Sequence, residues 1–93
     1  MVIGYLELNI HFPHARSLKD KRQELASLKD RIRQKYNVAL AELEFQDVWQ
    51  RTKIGIVTLN SQPSIVEQIL ARIRTDVREH TNGELLSSDI QFF

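Results

Sequence analysis

Along residues 2–12, apolar and polar positions alternate. Val2, Gly4, Leu6, Leu8, Ile10 and Phe12 fall on one side, and Tyr5, Glu7, Asn9 and His11 on the other. A period of two marks a strand that buries one face. Pro13 ends it, since proline has no N–H for further pairing. From Ser17 the period changes. At about 100° per residue, Leu18, Leu25, Leu28, Ile32 and Tyr36 lie within an arc of roughly 80°, which predicts a helix from Ser17 to about Lys35. The Ser17 hydroxyl can accept the N–H of Asp20, and Asp20 and Lys35 sit at the ends where the helix dipole favours their charges. Residues 38–45 alternate again and read as a second strand. Residues 46–51 form a short connection, and the β-branched run 52–60 reads as a third strand. Ser61 to Pro63 opens a second helix, with proline tolerated in the first turn. Its apolar stripe is Ile65, Ile69, Ile73 and Val77, flanked by Val66 and Leu70. Asn82-Gly83 is expected to end it in the left-handed conformation, and residues 85–93 give a last strand.

The order βαββαβ, with two right-handed crossovers, predicts an α+β fold of the ferredoxin-like kind: a four-stranded antiparallel sheet with both helices on one face. Residues 1–93 are expected to form a single domain. The sheet's other face is left open. Ile3, Tyr5, Glu7, Val38, Leu40, Glu42, Ile54, Ile56 and Thr58 are the residues expected there. In the second and third strands both parities carry apolar residues, so the pattern does not decide between them. An open face of that composition suits self-association or a protein partner.

Charge is unevenly spread. The 93 residues carry 13 basic and 12 acidic side chains. Residues 14–36 hold Arg16, Lys19, Lys21, Arg22, Lys29, Arg31, Arg33 and Lys35 against Asp20, Glu24 and Asp30, a net +5. The remainder is net negative, so the positive pole lies on the first helix and steers anionic partners. On that helix Lys19, Arg22, Lys29 and Arg33 share an arc of roughly 80° and span about 21 Å, a stripe able to follow a phosphate backbone. Arg16 stands beside the helix N-terminus, where a loose anion can bind. Lys21 projects toward the apolar arc. It either snorkels past the sheet edge or holds a carboxylate there, with Glu42 the candidate partner.

Several chemistries are disfavoured. Cysteine is absent, which excludes disulfides and thiolate nucleophiles. No nucleophile motif brings Ser and Asp to His11, His14 or His80. His11 and His14 flank Pro13 without a second ligand pair, so no metal is expected, and no cofactor. The loop after the first strand, Phe12 to Arg16, has no glycine to cradle phosphate, unlike small phosphatases of this order. Residues 53–57 carry Ile where RNA-recognition domains carry stacking aromatics. An enzyme acting on an anionic small molecule would need Arg16, Lys21 and a carboxylate such as Glu42 or Asp47 in one pocket. Residues 1–12 are not expected to be a signal peptide. No apolar run approaches the roughly 18 residues of a membrane span. A cytoplasmic protein with no membrane partner is expected. Trp49, the one tryptophan, sits between Asp47 and Arg51. It is either an anchor folding the connection onto the sheet end or an exposed hot spot for a partner.

Two stretches resemble the YlxP-like family of small bacterial proteins. One is Ser17-Leu18-Lys19-Asp20-Lys21-Arg22. The other is Ala41-Glu42 with Gln46-Asp47-Val48-Trp49-Gln50-Arg51. Length and element order agree over essentially the whole chain. The resemblance implies the same α+β fold. Genes of that family often lie beside those for translation initiation and ribosome maturation factors, which implies work linked to the ribosome. It implies no catalytic residues. Lys21, Arg22, Glu42, Asp47, Trp49 and Arg51 are the motif positions that match. The sequence thus leads to a non-enzymatic module binding RNA or the ribosome, with Arg16, Lys19, Arg22, Lys29 and Arg33 on phosphate and Trp49 with Arg51 as anchor. The alternative is a protein-interaction module or homodimer using the open sheet face.

Overall fold

A computed structural model describes residues 1–93. The elements are β1 (Val2–His11), α1 (Leu18–Lys35), β2 (Ala39–Glu44), β3 (Arg51–Asn60), α2 (Pro63–His80) and β4 (Glu84–Phe92). The strands form one sheet in the order β2-β3-β1-β4, antiparallel at every pairing. This is the ferredoxin-like α+β arrangement. β1 lies at the centre, where its clean alternation buries Leu6, Leu8 and Ile10 against the helices. With Phe12, Leu25, Leu28, Ile32, Ile54, Ile56, Val66, Leu70, Ile73 and Val77 they make one continuous core. Each fully buried side chain of this size contributes about 1.5–3 kcal/mol.

Local signals place the helix ends. The N–H of Asp20 donates to the Ser17 hydroxyl at 3.0 Å, and the Asp20 carboxylate accepts the N–H of Arg16 at 3.0 Å. The first bond satisfies an orphan donor of α1, and the second ties down the residue before the cap. α2 begins with Pro63 in its first turn and no side-chain cap. Instead the Asn60 side-chain oxygen accepts the N–H of Gln62 at 3.0 Å.

Three expectations are corrected. Ile54, Ile56 and Thr58 face the helices, as do Val38, Leu40 and Glu42, because β1 fixes the register. Ile3 sits opposite Leu59 and Tyr5 opposite Val57, so Lys53, Gly55, Val57 and Leu59 share the open face with Ile3, Tyr5 and Glu7. Gly83 has no positive φ. A Cβ there would lie 2.7 Å from the His11 carbonyl oxygen, so close approach to β1, not a left-handed turn, is what needs glycine. The buried stripe of α2 centres on Val66, Leu70, Ile73 and Val77, leaving Ile65 and Ile69 half-buried.

Candidate functional site

The cations of the first helix separate into two groups. Lys21, Arg31 and Lys35 are tied into the fold. Lys21 Nζ lies 2.9 Å from Glu42 Oε2, and Lys35 and Arg31 approach Asp76 of α2 at 3.3 and 3.8 Å. Both guanidinium Nη atoms of Arg31 donate to the His80 carbonyl at 3.0 Å, closing the C-terminus of α2. The other five, Arg16, Lys19, Arg22, Lys29 and Arg33, form no ion pair. All are exposed except Lys29, which is half-buried. Arg33 reaches the Leu40 carbonyl at 3.5 Å. A row of cations free of ion pairs, interrupted at Ala26, therefore follows α1, with Arg16 in the loop before it.

Lys21 takes the second of its two expected roles. Its side chain has no exposed surface. Besides Glu42, its ammonium donates to the Phe45 carbonyl, and the Thr52 hydroxyl donates to Glu42 Oε2 at 2.6 Å. The network joins α1, the end of β2 and the start of β3. It also holds a distorted turn. β2 shifts register between Glu42 and Glu44, and Phe45 takes a positive φ of 67°, a conformation that L-residues adopt only under constraint. The Phe45 carbonyl also accepts the N–H of Val48 at 3.0 Å, opening the connection to β3.

That connection is clamped to the loop before α1. The N–H of Phe12 donates to the Gln50 carbonyl at 2.9 Å, and the Gln50 amide donates to the Pro13 and Ala15 carbonyls at 3.3 and 3.2 Å. The clamp brings Trp49 to the same end of the molecule as Arg16 and Lys19. Trp49 is 51% exposed and Asp47 is also exposed, so Trp49 is not folded down as an anchor. Arg51 does not stand free beside it. Its guanidinium lies over the Phe45 ring, 4.5 Å from the centroid. Phe45, Gln50 and Thr52 were not among the residues read from the sequence as functional. Gln50 lies within the second motif, but its work is done by its reach to a loop remote in sequence.

The residues required for chemistry on a small anion do not converge. Lys21 is sealed against Glu42, whereas Arg16 and Asp47 point to solvent. The surface hollows lie elsewhere. The largest, about 420 Å³, is lined by Lys35, Arg72, Asp76 and His80 among others, between the helices. His11 lies 3.6 Å from Glu84 and His14 is exposed, with no group of three metal-binding side chains around them. No helix is long and apolar enough to cross a membrane.

The open sheet face has two halves. Leu43 and Tyr5 close over Gly55, where a Cβ would lie 2.8 and 3.0 Å from their side chains. With Ala39, Ala41 and Val57 they line a shallow hollow of about 230 Å³. Toward the other end, Lys53 bridges Glu44 at 2.9 Å and Glu7 at 3.1 Å. These hydrogen bonds, to Glu44 first and then Glu7, raise the Lys53 pKa. Desolvation, followed by the Glu7 charge, raises that of Tyr5. Tyr5 is the one aromatic at the centre of this face, too few for base stacking across the sheet.

Residues 3–90 match the family model described as "Protein of unknown function (DUF503)". The chain belongs to this family. It is 38% identical over 72 residues to the uncharacterized protein YlxP of Bacillus subtilis (strain 168), covering 77% of this chain and 78% of that one. The expected family is thereby confirmed. Among solved structures, the DUF503 chain is similar to two de novo designed proteins. Foldit4 gives a TM-score of 0.54 at 11% identity, over 98% of this chain and 96% of that one. Ferredog-Diesel gives 0.52 at 15% identity, over 96% and 83%. At such identities the likeness concerns the fold alone.

Proposed function

We propose that this DUF503 protein is a non-enzymatic module that binds structured RNA, with the ribosome the setting suggested by the gene neighbourhood of its family. The observation that carries the reading is the separation of cations on α1. Those that form no ion pair are Arg16, in the loop before the helix, and Lys19, Arg22, Lys29 and Arg33 on it, and all but the half-buried Lys29 are exposed. Unpaired cations over about 21 Å of helix extend far enough to follow a phosphate backbone, and displacement of its counterions drives binding. Trp49, exposed at the Arg16 end of the row, offers an aromatic face to an unpaired base. Arg51 acts by holding Phe45 and the turn that carries Trp49.

The test is fluorescence anisotropy with a labelled, structured fragment of ribosomal RNA at several salt concentrations. Five phosphate contacts give a log–log salt slope of about −4, a loss of roughly 250-fold in affinity between 50 and 200 mM. Reversing Arg22, Lys29 and Arg33 to glutamate flattens the slope and abolishes binding at moderate salt. Trp49→Ala weakens binding by about 1–3 kcal/mol with the slope unchanged. Reversing Arg72 and Arg78, exposed cations of α2 outside the row, serves as the control. Equal loss in the control would reject the site.

A further inference from the structure

The two edges of the sheet are not equally protected. The β2 edge is six residues long, bulged before Glu44 and followed by the positive-φ Phe45, all features that prevent another strand from adding to it. The β4 edge is different. Its bulge lies between the pairs Asn9–Ser87 and Ile10–Leu85, so residues 87–93 run on without irregularity. That stretch contains no lysine, arginine or proline, the residues that usually block an edge. It ends in Phe92 and Phe93, both exposed.

The hydrogen-bond alternation says which backbone groups are free. Ile3 and Phe93 exchange both bonds, at 3.1 and 2.8 Å. In an antiparallel ladder every second residue does this, so Phe93, Gln91, Asp89 and Ser87 spend their backbone groups on β1. The N–H and C=O groups of Ser88, Ile90 and Phe92 point outward, to nothing. We infer that β4 pairs antiparallel with β4 of a second copy of this chain, about a twofold axis at Ile90, joining two sheets into one.

The second copy is the occupant because the segment complements itself in this register. Ile90 meets Ile90, Ser88 meets Phe92, Asp89 meets Gln91 and Ser87 meets Phe93. The ladder bonds then fall on Ser88, Ile90 and Phe92, the residues with free groups. No carboxylate faces another. Asp89 faces the amide of Gln91, a pairing already made within each strand at 3.2 Å. Phe92 and Phe93 gain cover on opposite faces of the joined sheet. α2 packs over β1 and β4, and α1 reaches β2 through Lys21 and Arg33. Pairing through β4 therefore leaves both cationic rows on the outer flanks, free for a ligand. An interface built on one strand pair is at the small end of the range, so the dimer is expected to form and dissociate with concentration.

Sedimentation equilibrium of the full chain from 5 to 500 μM tests this. The expected result is a monomer–dimer equilibrium. Ser88→Pro removes an outward N–H without touching the β1 ladder, and is expected to abolish the dimer while the circular dichroism and urea midpoint stay near those of the parent. Ile90→Lys, a cation on the axis, provides a second variant should the proline disturb the strand. A monomer throughout the range would overturn the proposal. So would a dimer indifferent to both variants but dissolved by Val57→Asp, which would place the interface on the open sheet face.

Discussion

Replacing Lys21 by methionine leaves the Glu42 carboxylate enclosed beside Thr52 with no cation. Breaking a buried pair from one side costs about 3–5 kcal/mol, a large share of the roughly 5–15 kcal/mol that holds a domain together. Urea denaturation of Lys21→Met should show that loss. Adding Glu42→Gln should recover part of it, because the orphan charge disappears. A second residue-scale prediction concerns alkaline pH. Lys53 and Tyr5 both have raised pKa values in the folded protein. In each case the native state keeps a proton that the unfolded chain releases near pH 10, so stability falls as pH rises past that point. Urea midpoints measured from pH 8 to 11 should decline, and less steeply in Lys53→Met and Tyr5→Phe. At this scale the Lys21–Glu42 pair was legible, since a lysine in an apolar arc requires a partner. The position of Arg51 over Phe45 was not, because it follows from a positive φ that no residue type announces.

Among the elements, β1 could be read completely because its two faces differ at every position. β2 and β3 could not. Ile54, Gly55, Ile56 and Val57 are small or apolar on both parities, and only pairing with β1 decides that Ile54 and Ile56 go inward. Gly83 shows the opposite limit. Its neighbour Asn82 suggested a helix stop by conformation, whereas the structure uses the missing side chain for contact with His11, Ile10 and Phe12. Gly83→Ala should therefore destabilise by about 1–3 kcal/mol through overpacking. Gly83→Asn, suited to a left-handed site, should be worse than alanine rather than better. The relative urea midpoints of the two variants separate the explanations.

For the molecule as a whole, charge asymmetry was visible in the sequence, but its meaning was not. A surplus of five cations in residues 14–36 is compatible with a merely solvated helix. The sheet and α2 decide which of them remain available, since Asp76, Glu42 and the His80 carbonyl occupy three and leave five. The fold itself followed from element order, and the family from two short motifs. The free row on α1 is the basis of the functional reading. Its most direct test is the salt dependence of binding to structured ribosomal RNA, compared between the parent and the Arg22, Lys29 and Arg33 reversal. Phosphate binding by this row predicts a steep slope of about −4 that collapses in the variant. Binding that is absent at low salt, or equally steep after reversal, would contradict it.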